Sequence, residues 1–278
     1  MTYMRLWVFA AVLCFPALAA DPVTLDEALG RLYSFDFPGA HAALDGYIAV
    51  HPAEPLPYAF RASAYLFYEL DRLGVLESEF LMDDDRIIAK TRPNPDPAIR
   101  KQFFAALDDA QRRAEAALKT NPNDRSALFA MVVASGVATD YMALVEKRQI
   151  GSLSPAKRGN GYAQRLLKLD PTFYDAYLTS GFSEYMIGSL PFFIRWFVHF
   201  DSVEGDKQRG VHQLELVARD GHYLKPLAKV FLGIIDLREN KPREAQRLLG
   251  ELAHDYPENR LYRKELDKLN VRFGVGAN

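Results

Sequence analysis

The sequence has almost no cysteine, since Cys14 is the only one in 278 residues. Cys14 lies in an N-terminal segment in which Arg5 precedes an apolar run over residues 6–18, followed by small residues that suit signal cleavage. We therefore predict a cleaved signal peptide over residues 1–20 and secretion across the inner membrane into the periplasm. Without Cys14, the mature chain can form no disulfide, thiol nucleophile or cysteine metal site.

Charge of one sign and further long apolar runs are also lacking. The formal net charge is −2 at pH 7, with 34 basic and 36 acidic residues. Nucleic-acid partners usually require a basic excess or patch, so we expect none here. After residue 20 the sequence has no long uncharged apolar run, and we predict a mature chain without a transmembrane segment.

Motifs for catalysis and metal binding are missing as well. The six histidines show no His-Glu-x-x-His or His-x-His spacing, and Glu251 with His254 forms a lone Glu-x-x-His. No Gly-x-Ser-x-Gly motif is present, and Gly159-Asn160-Gly161 lacks the flanking residues of a phosphate loop, so we interpret it as a helix start. We expect no catalytic residue, no metal and no cofactor, and predict that the protein is not an enzyme.

Helical periodicity, punctuated by proline, fills most of the remaining chain. Thr24 and Glu27 have the spacing of an N-terminal capping box. Proline cannot continue a helix, and a proline follows each of four segments with helical spacing. These ends are His51-Pro52, Asn121-Pro122, Asp170-Pro171 and Tyr256-Pro257.

An internal repeat indicates how the helices are arranged. In the last complete unit Ala245 follows Gly233 by twelve residues, and in the first unit Ala40 follows Ala28 by the same distance. Each unit adds a leucine four residues on, Leu249 or Leu44, and a closing proline. This pattern resembles the tetratricopeptide repeat (TPR). The units are degenerate, because Lys229 and Asp236 occupy positions where the TPR motif prefers large aromatic residues.

The resemblance implies an all-α fold, a TPR-like right-handed α-solenoid of about five helical hairpins over residues 21–278. The segments Ser189-Leu190-Pro191 and Gly205-Asp206-Lys207 are similar to those of uncharacterised secreted bacterial TPR proteins. The small residues Gly181 and Gly210 are 29 positions apart instead of twelve. We therefore predict extended middle hairpins, with insertions near 75–100 and 187–205 on one edge of the solenoid.

Polar and aromatic residues on the first helix of each hairpin are the candidate binding groups, because these helices line the groove of such a solenoid. Tyrosine offers a large contact area and a hydroxyl, which suits recognition surfaces. Alternatively, the tyrosines fill gaps between helices. The candidates are Tyr65, Tyr68, Asp140, Tyr141, Tyr177, Glu184 and Tyr185.

The aromatic block 188–200 is the last candidate. On a helix Phe192 and Trp196 share a face, and Arg195 lies on an adjacent stripe. The block either folds back as a plug or cavity wall, or is exposed to acyl chains, a membrane surface or a partner. Two hypotheses follow: a scaffold that binds a protein or peptide through the groove, or a carrier of a lipid-like ligand in a cavity closed by this block.

Overall fold

The computed structural model describes residues 24–77, 94–189 and 204–273. Three expectations fall outside these ranges and stay predictions. They are the signal peptide over residues 1–20, most of the insertion near 75–100, and the aromatic block with Phe192, Arg195 and Trp196.

The described residues form helices joined by turns and contain no strand, which confirms the all-α class. Besides α-helices there is a π-helical turn, Tyr141–Val145, directly after Asp140, and a 3₁₀ turn, Tyr174–Ala176, directly before Tyr177. The α-helices are α1 (Leu25–Tyr33), α2 (Phe37–Val50), α3 (Leu56–Arg72), α4 (Pro97–Thr120), α5 (Arg125–Asp140), α6 (Gln149–Leu169), α7 (Tyr177–Ser189), α8 (Lys207–Asp220), α9 (Lys225–Arg238), α10 (Pro242–Asp255) and α11 (Arg260–Phe273).

The predicted helix ends are confirmed at all four proline turns. The helices α2, α4, α6 and α10 each end one residue before the C-cap that precedes the proline. At each turn the C-cap carbonyl accepts a hydrogen bond from the backbone N–H three residues later, as Asn121 does from Asp124 at 3.0 Å. Thr24 caps α1 by accepting from the Glu27 N–H, while the Glu27 side chain pairs with Arg31 instead of closing the capping box.

Consecutive helices pack against each other along the chain, and the backbones of α7 and α8 approach each other closely. A Cβ on Gly181 would lie 3.0 Å from the Gly210 carbonyl oxygen, and one on Gly210 would lie 2.7 Å from that of Gly181. The two small residues therefore bring these backbones together. Ala28 and Ala40 are buried at the corresponding positions of α1 and α2, whereas a Cβ on Gly233 would meet nothing within 4 Å.

The two ends of the described chain meet. The Tyr33 hydroxyl at the end of α1 donates a 2.8 Å hydrogen bond to the Tyr223 carbonyl before α9. The Asn259 side chain, at the start of α11, donates to the Tyr33 carbonyl at 2.8 Å. Tyr33 and Tyr256 also contact each other through their rings, 5.7 Å apart. The helices consequently close around a common centre instead of ending in an open row.

The segment Arg125–Val145, α5 with its π-helical turn, is the most apolar part of this centre. By length and composition it could cross a membrane, but 67% of its most apolar window is buried inside the protein. A helix in the core of a folded domain can be equally long and apolar. Its position between α3, α4 and α6 accounts for the apolar composition.

Candidate functional site

The odd-numbered helices α1, α3, α5, α7 and α9, together with Ala156 and Gly159 of α6, line a cavity of about 130 Å³. The TPR resemblance predicts that the odd-numbered helices are the first helices of successive hairpins. Because the chain ends meet at Tyr33, the inner surface of the helices forms the wall of a cavity. The lining includes Leu29, Leu32, Tyr33, Phe60, Phe67, Val132, Val133, Gly136, Val137, Asp140, Leu178, Phe182, Leu224, Leu227 and Phe231.

The wall is apolar on nearly every side. Phe60 in α3, Phe182 in α7 and Phe231 in α9 contribute aromatic rings, and the Phe182 and Phe231 rings stack with centroids 4.4 Å apart. Aliphatic side chains from α1 and α5 complete the wall. Such a surface gains free energy when an apolar molecule replaces water against it.

Gly136 lies on the cavity face of α5 and leaves open space there. A Cβ at this position would meet no heavy atom within 4 Å, although the flanking residues Ser135 and Val137 are buried. On the neighbouring α6, Gly159 is the opposite case, because its Cβ would lie 2.9 Å from that of Ser135. Gly159 therefore permits close packing of the helices, while Gly136 leaves open space.

Asp140, one of the predicted binding residues, is the single carboxylate among the lining residues. It follows Val133, Gly136 and Val137 on the cavity face of α5, at helical spacing. Within the described ranges its side chain makes no hydrogen bond or ion pair. Burial raises the pKa of Asp140 to about 7, because nothing around it compensates the loss of water from the charged form.

The other polar lining residues are hydroxyls. Thr139 donates to the Ser135 carbonyl at 2.8 Å, and Ser63 to the Ala59 carbonyl at 3.1 Å, so both are engaged by their own helices. Thr179 and Ser183 lie on the α7 wall. The Tyr33 ring belongs to the lining, but its hydroxyl is used in the contact with Tyr223.

The structure places the other predicted tyrosines away from the cavity wall. Tyr141 is fully buried and stacks on Phe103 with ring centroids 4.4 Å apart, and burial raises its pKa to about 12. Tyr65 is half-buried and contacts His41 at 4.1 Å between centroids. Tyr68 is 39% exposed and meets the Phe37 ring edge-on.

Hydrogen bonds to turns and to neighbouring helices engage three further candidates, Glu184, Tyr177 and Tyr185. The buried Glu184 carboxylate accepts from the backbone N–H groups of Gly205 and Asp206 and pairs with Arg209. The hydroxyl of Tyr177 donates to the Pro171 carbonyl at 3.3 Å. That of Tyr185 donates to Glu239 at 3.2 Å. These contacts give Glu184, Tyr177 and Tyr185 a structural role. Partner binding through the three residues remains a prediction.

Most residues of the wall were not among the candidates. Leu32, Phe60, Val133, Phe182 and Phe231 have the spacing of ordinary core residues on their helices. Nothing in the sequence distinguishes an apolar residue that contacts another side chain from one that faces a cavity. Gly136 gave the one available signal, since a glycine inside an apolar helix needs a reason to be there.

No protein-family model matches the chain, and no curated protein is significantly similar to it. The function is therefore argued from the cavity and its residues.

Proposed function

We propose that this is a secreted, non-catalytic binding protein that holds a small apolar molecule in the cavity between its odd-numbered helices. The observation that carries the proposal is the convergence of these helices on one apolar space with a single carboxylate. Pockets for small molecules are typically apolar with few polar groups, and this cavity has that composition.

The size of the cavity defines the ligand class. Cavities of about 150 Å³ lined by Leu, Ile and Phe stay dry and bind benzene-sized molecules. At about 130 Å³, the present cavity suits a single aromatic ring or a short branched chain. The lipid-like ligand expected from the sequence would have to extend beyond this space.

A TPR-like solenoid explains why the cavity exists, and we keep that interpretation as part of the proposal. Equivalent arginines support it: Arg113 in α4 donates to the Pro52 carbonyl, and Arg165 in α6 donates to the Pro122 carbonyl, both at 2.8 Å. Two hairpins thus hold the proline turn that precedes them in the same way. First helices in such repeats face inward, which brings their apolar faces together when the ends meet.

The alternative, a scaffold that binds a protein or peptide through an open groove, finds less support. It relied on tyrosines along the first helices, and of these Tyr141 and Tyr185 are buried. Tyr68 and the half-buried Tyr65 and Tyr177 are the candidate tyrosines with surface left for a partner. A peptide would also have to displace the contacts between Tyr33 and the turn at Tyr223.

Titration with toluene tests the proposal. Toluene matches the cavity in size and carries no polar group, so binding depends on the apolar wall alone. We expect saturable 1:1 binding by NMR, with shifts concentrated in the Val133 and Phe182 environments, and a higher melting temperature. Absence of saturable binding, or shifts confined to the outer surface, would contradict the proposal.

A further inference from the structure

We propose that the natural ligand of the cavity is an apolar amine, whose cationic nitrogen pairs with the carboxylate of Asp140. This inference rests on the proposed function and specifies its ligand class. It rests on the position of Asp140, on its lack of a partner among the described residues, and on the way this protein pairs its fully buried carboxylates.

Asp140 belongs to the cavity by its position on α5. Residues three, four and seven positions before it, Val137, Gly136 and Val133, line the same space. The carboxylate therefore projects from the same helix face as the apolar wall. A ligand whose body occupies the apolar part would present its polar end to Asp140.

The fully buried carboxylates in the described part of the chain have hydrogen-bond partners within the fold. Asp175 accepts from the backbone N–H groups of three successive residues, His222, Tyr223 and Leu224, at 2.7–3.0 Å. Glu69 accepts from the Asp96 N–H and pairs with Arg72. Carboxylates that stabilise the fold therefore have their hydrogen-bond donors within the protein.

Asp140 has no such partner among the described residues. Asp140 is half-buried in the cavity wall, and the partial loss of water around a charged group without a partner is costly. An external partner that enters the cavity resolves this cost. The carboxylate thus has the properties of a ligand-binding group and not of a structural one.

A cation is the partner that the surroundings favour. No Lys, Arg or His lines the cavity, and its other titratable group, the Tyr33 hydroxyl, donates to the Tyr223 carbonyl. A charge-assisted hydrogen bond from an ammonium group is about twice as strong as one between neutral groups. Thr179 and Ser183 add hydroxyl groups to the lining of the same cavity.

The test compares toluene, benzyl alcohol and benzylamine, which share a ring and differ in the polar end. Calorimetric titrations at pH 8 use the wild-type protein and the Asp140→Asn variant. We expect the wild type to bind benzylamine at least tenfold more tightly than toluene or benzyl alcohol. In Asp140→Asn the preference for benzylamine over toluene and benzyl alcohol should disappear.

A second measurement on the wild type does not depend on the variant. Between pH 8 and pH 6 the affinity for benzylamine should fall as Asp140 becomes protonated, whereas toluene affinity should stay constant. If toluene binds and benzylamine binds no more tightly, the amine assignment is wrong and the proposed function stands. If benzyl alcohol binds as tightly as benzylamine, the cationic class is wrong. If none of the three binds, the proposed function itself fails.

Discussion

The Glu184 carboxylate accepts a 2.7 Å hydrogen bond from the backbone N–H of Gly205, where the long connection between α7 and α8 rejoins the described structure. Glu69 does the same at the other long connection, accepting from the Asp96 N–H at 2.8 Å. Both glutamates lie near the end of a first helix, and both hold the N-terminus of the next helix. The protein thus uses one device to fix two long connections.

Replacing Glu184 by Ala should destabilise the protein. The substitution leaves the N–H groups of Gly205 and Asp206 without their acceptor and Arg209 without its buried partner. Losing hydrogen bonds to a charged group costs roughly 2–3 kcal/mol. Chemical denaturation should show this loss. Glu204→Ala is the control, since Glu204 is exposed and pairs only with Arg209, so its loss should cost less than about 1 kcal/mol. Equal losses for the two variants would refute the role given to Glu184.

The Gly210→Ala variant tests the contact between α7 and α8. The new Cβ would lie 2.6 Å from the Tyr185 backbone nitrogen and 2.7 Å from the Gly181 oxygen, so the helices must separate. We expect a loss of roughly 1–3 kcal/mol, as in other overpacked cores.

Gly161→Ala is the matched control for that variant. Gly161 is exposed within α6, and its Cβ would meet nothing within 4 Å. Alanine should stabilise this helix by about 0.5–1 kcal/mol. If Gly210→Ala also raises the melting temperature, the close approach of α7 and α8 is wrong.

Asp140→Asn should stabilise the ligand-free protein at high pH. With a folded-state pKa of about 7, above its unfolded value, Asp140 binds its proton more tightly in the folded protein. Stability due to this group therefore falls as pH rises from about 4 to 7. The advantage of Asn should grow over this range and level off above it. Melting temperatures from pH 4 to 9 measure this, and a constant difference would contradict the burial of Asp140.

The junction of the chain ends can be tested at Asn259. Its side chain donates to the Tyr33 carbonyl and accepts from the Leu261 N–H at 2.9 Å. In Asn259→Ala we expect faster hydrogen exchange in α1 and α11 and a loss of roughly 2 kcal/mol. Asn123→Ala, in an exposed turn, should change neither quantity. Exchange that stays slow in α1 would show that the junction does not depend on Asn259.

The helices and several of their ends could be predicted from the sequence because the signals are local. A proline usually ends a helix, although α6 continues through Pro155, and His51, Asn121, Asp170 and Tyr256 are C-caps as expected. The start of α6 was predicted wrongly. Gly159-Asn160-Gly161 was interpreted as a helix start, but α6 begins at Gln149 and runs through these glycines. Gly159 is there for close packing against Ser135, and the sequence does not show that contact.

The cavity depends on contacts between distant residues, so the sequence could indicate only part of it. Asp140 was a candidate because it is a polar residue on a helix expected to line the groove, and it lines the cavity. The closure at Tyr33 and Tyr223 joins residues 190 positions apart, and no local pattern indicates it. The burial of Tyr141 and Tyr185 follows from the same packing, because helix faces expected to be open are covered.

Toluene binding to the Gly136→Leu variant tests the central claim most directly. The leucine side chain would enter the open space at Gly136 without meeting protein atoms near its Cβ, so the fold should be retained. Gly161→Leu adds the same side chain to an exposed helix position and serves as the control. We predict that Gly136→Leu loses toluene binding with an equal or higher melting temperature, while Gly161→Leu binds as the wild type does. If a folded Gly136→Leu protein binds toluene with wild-type affinity, the cavity is not the binding site.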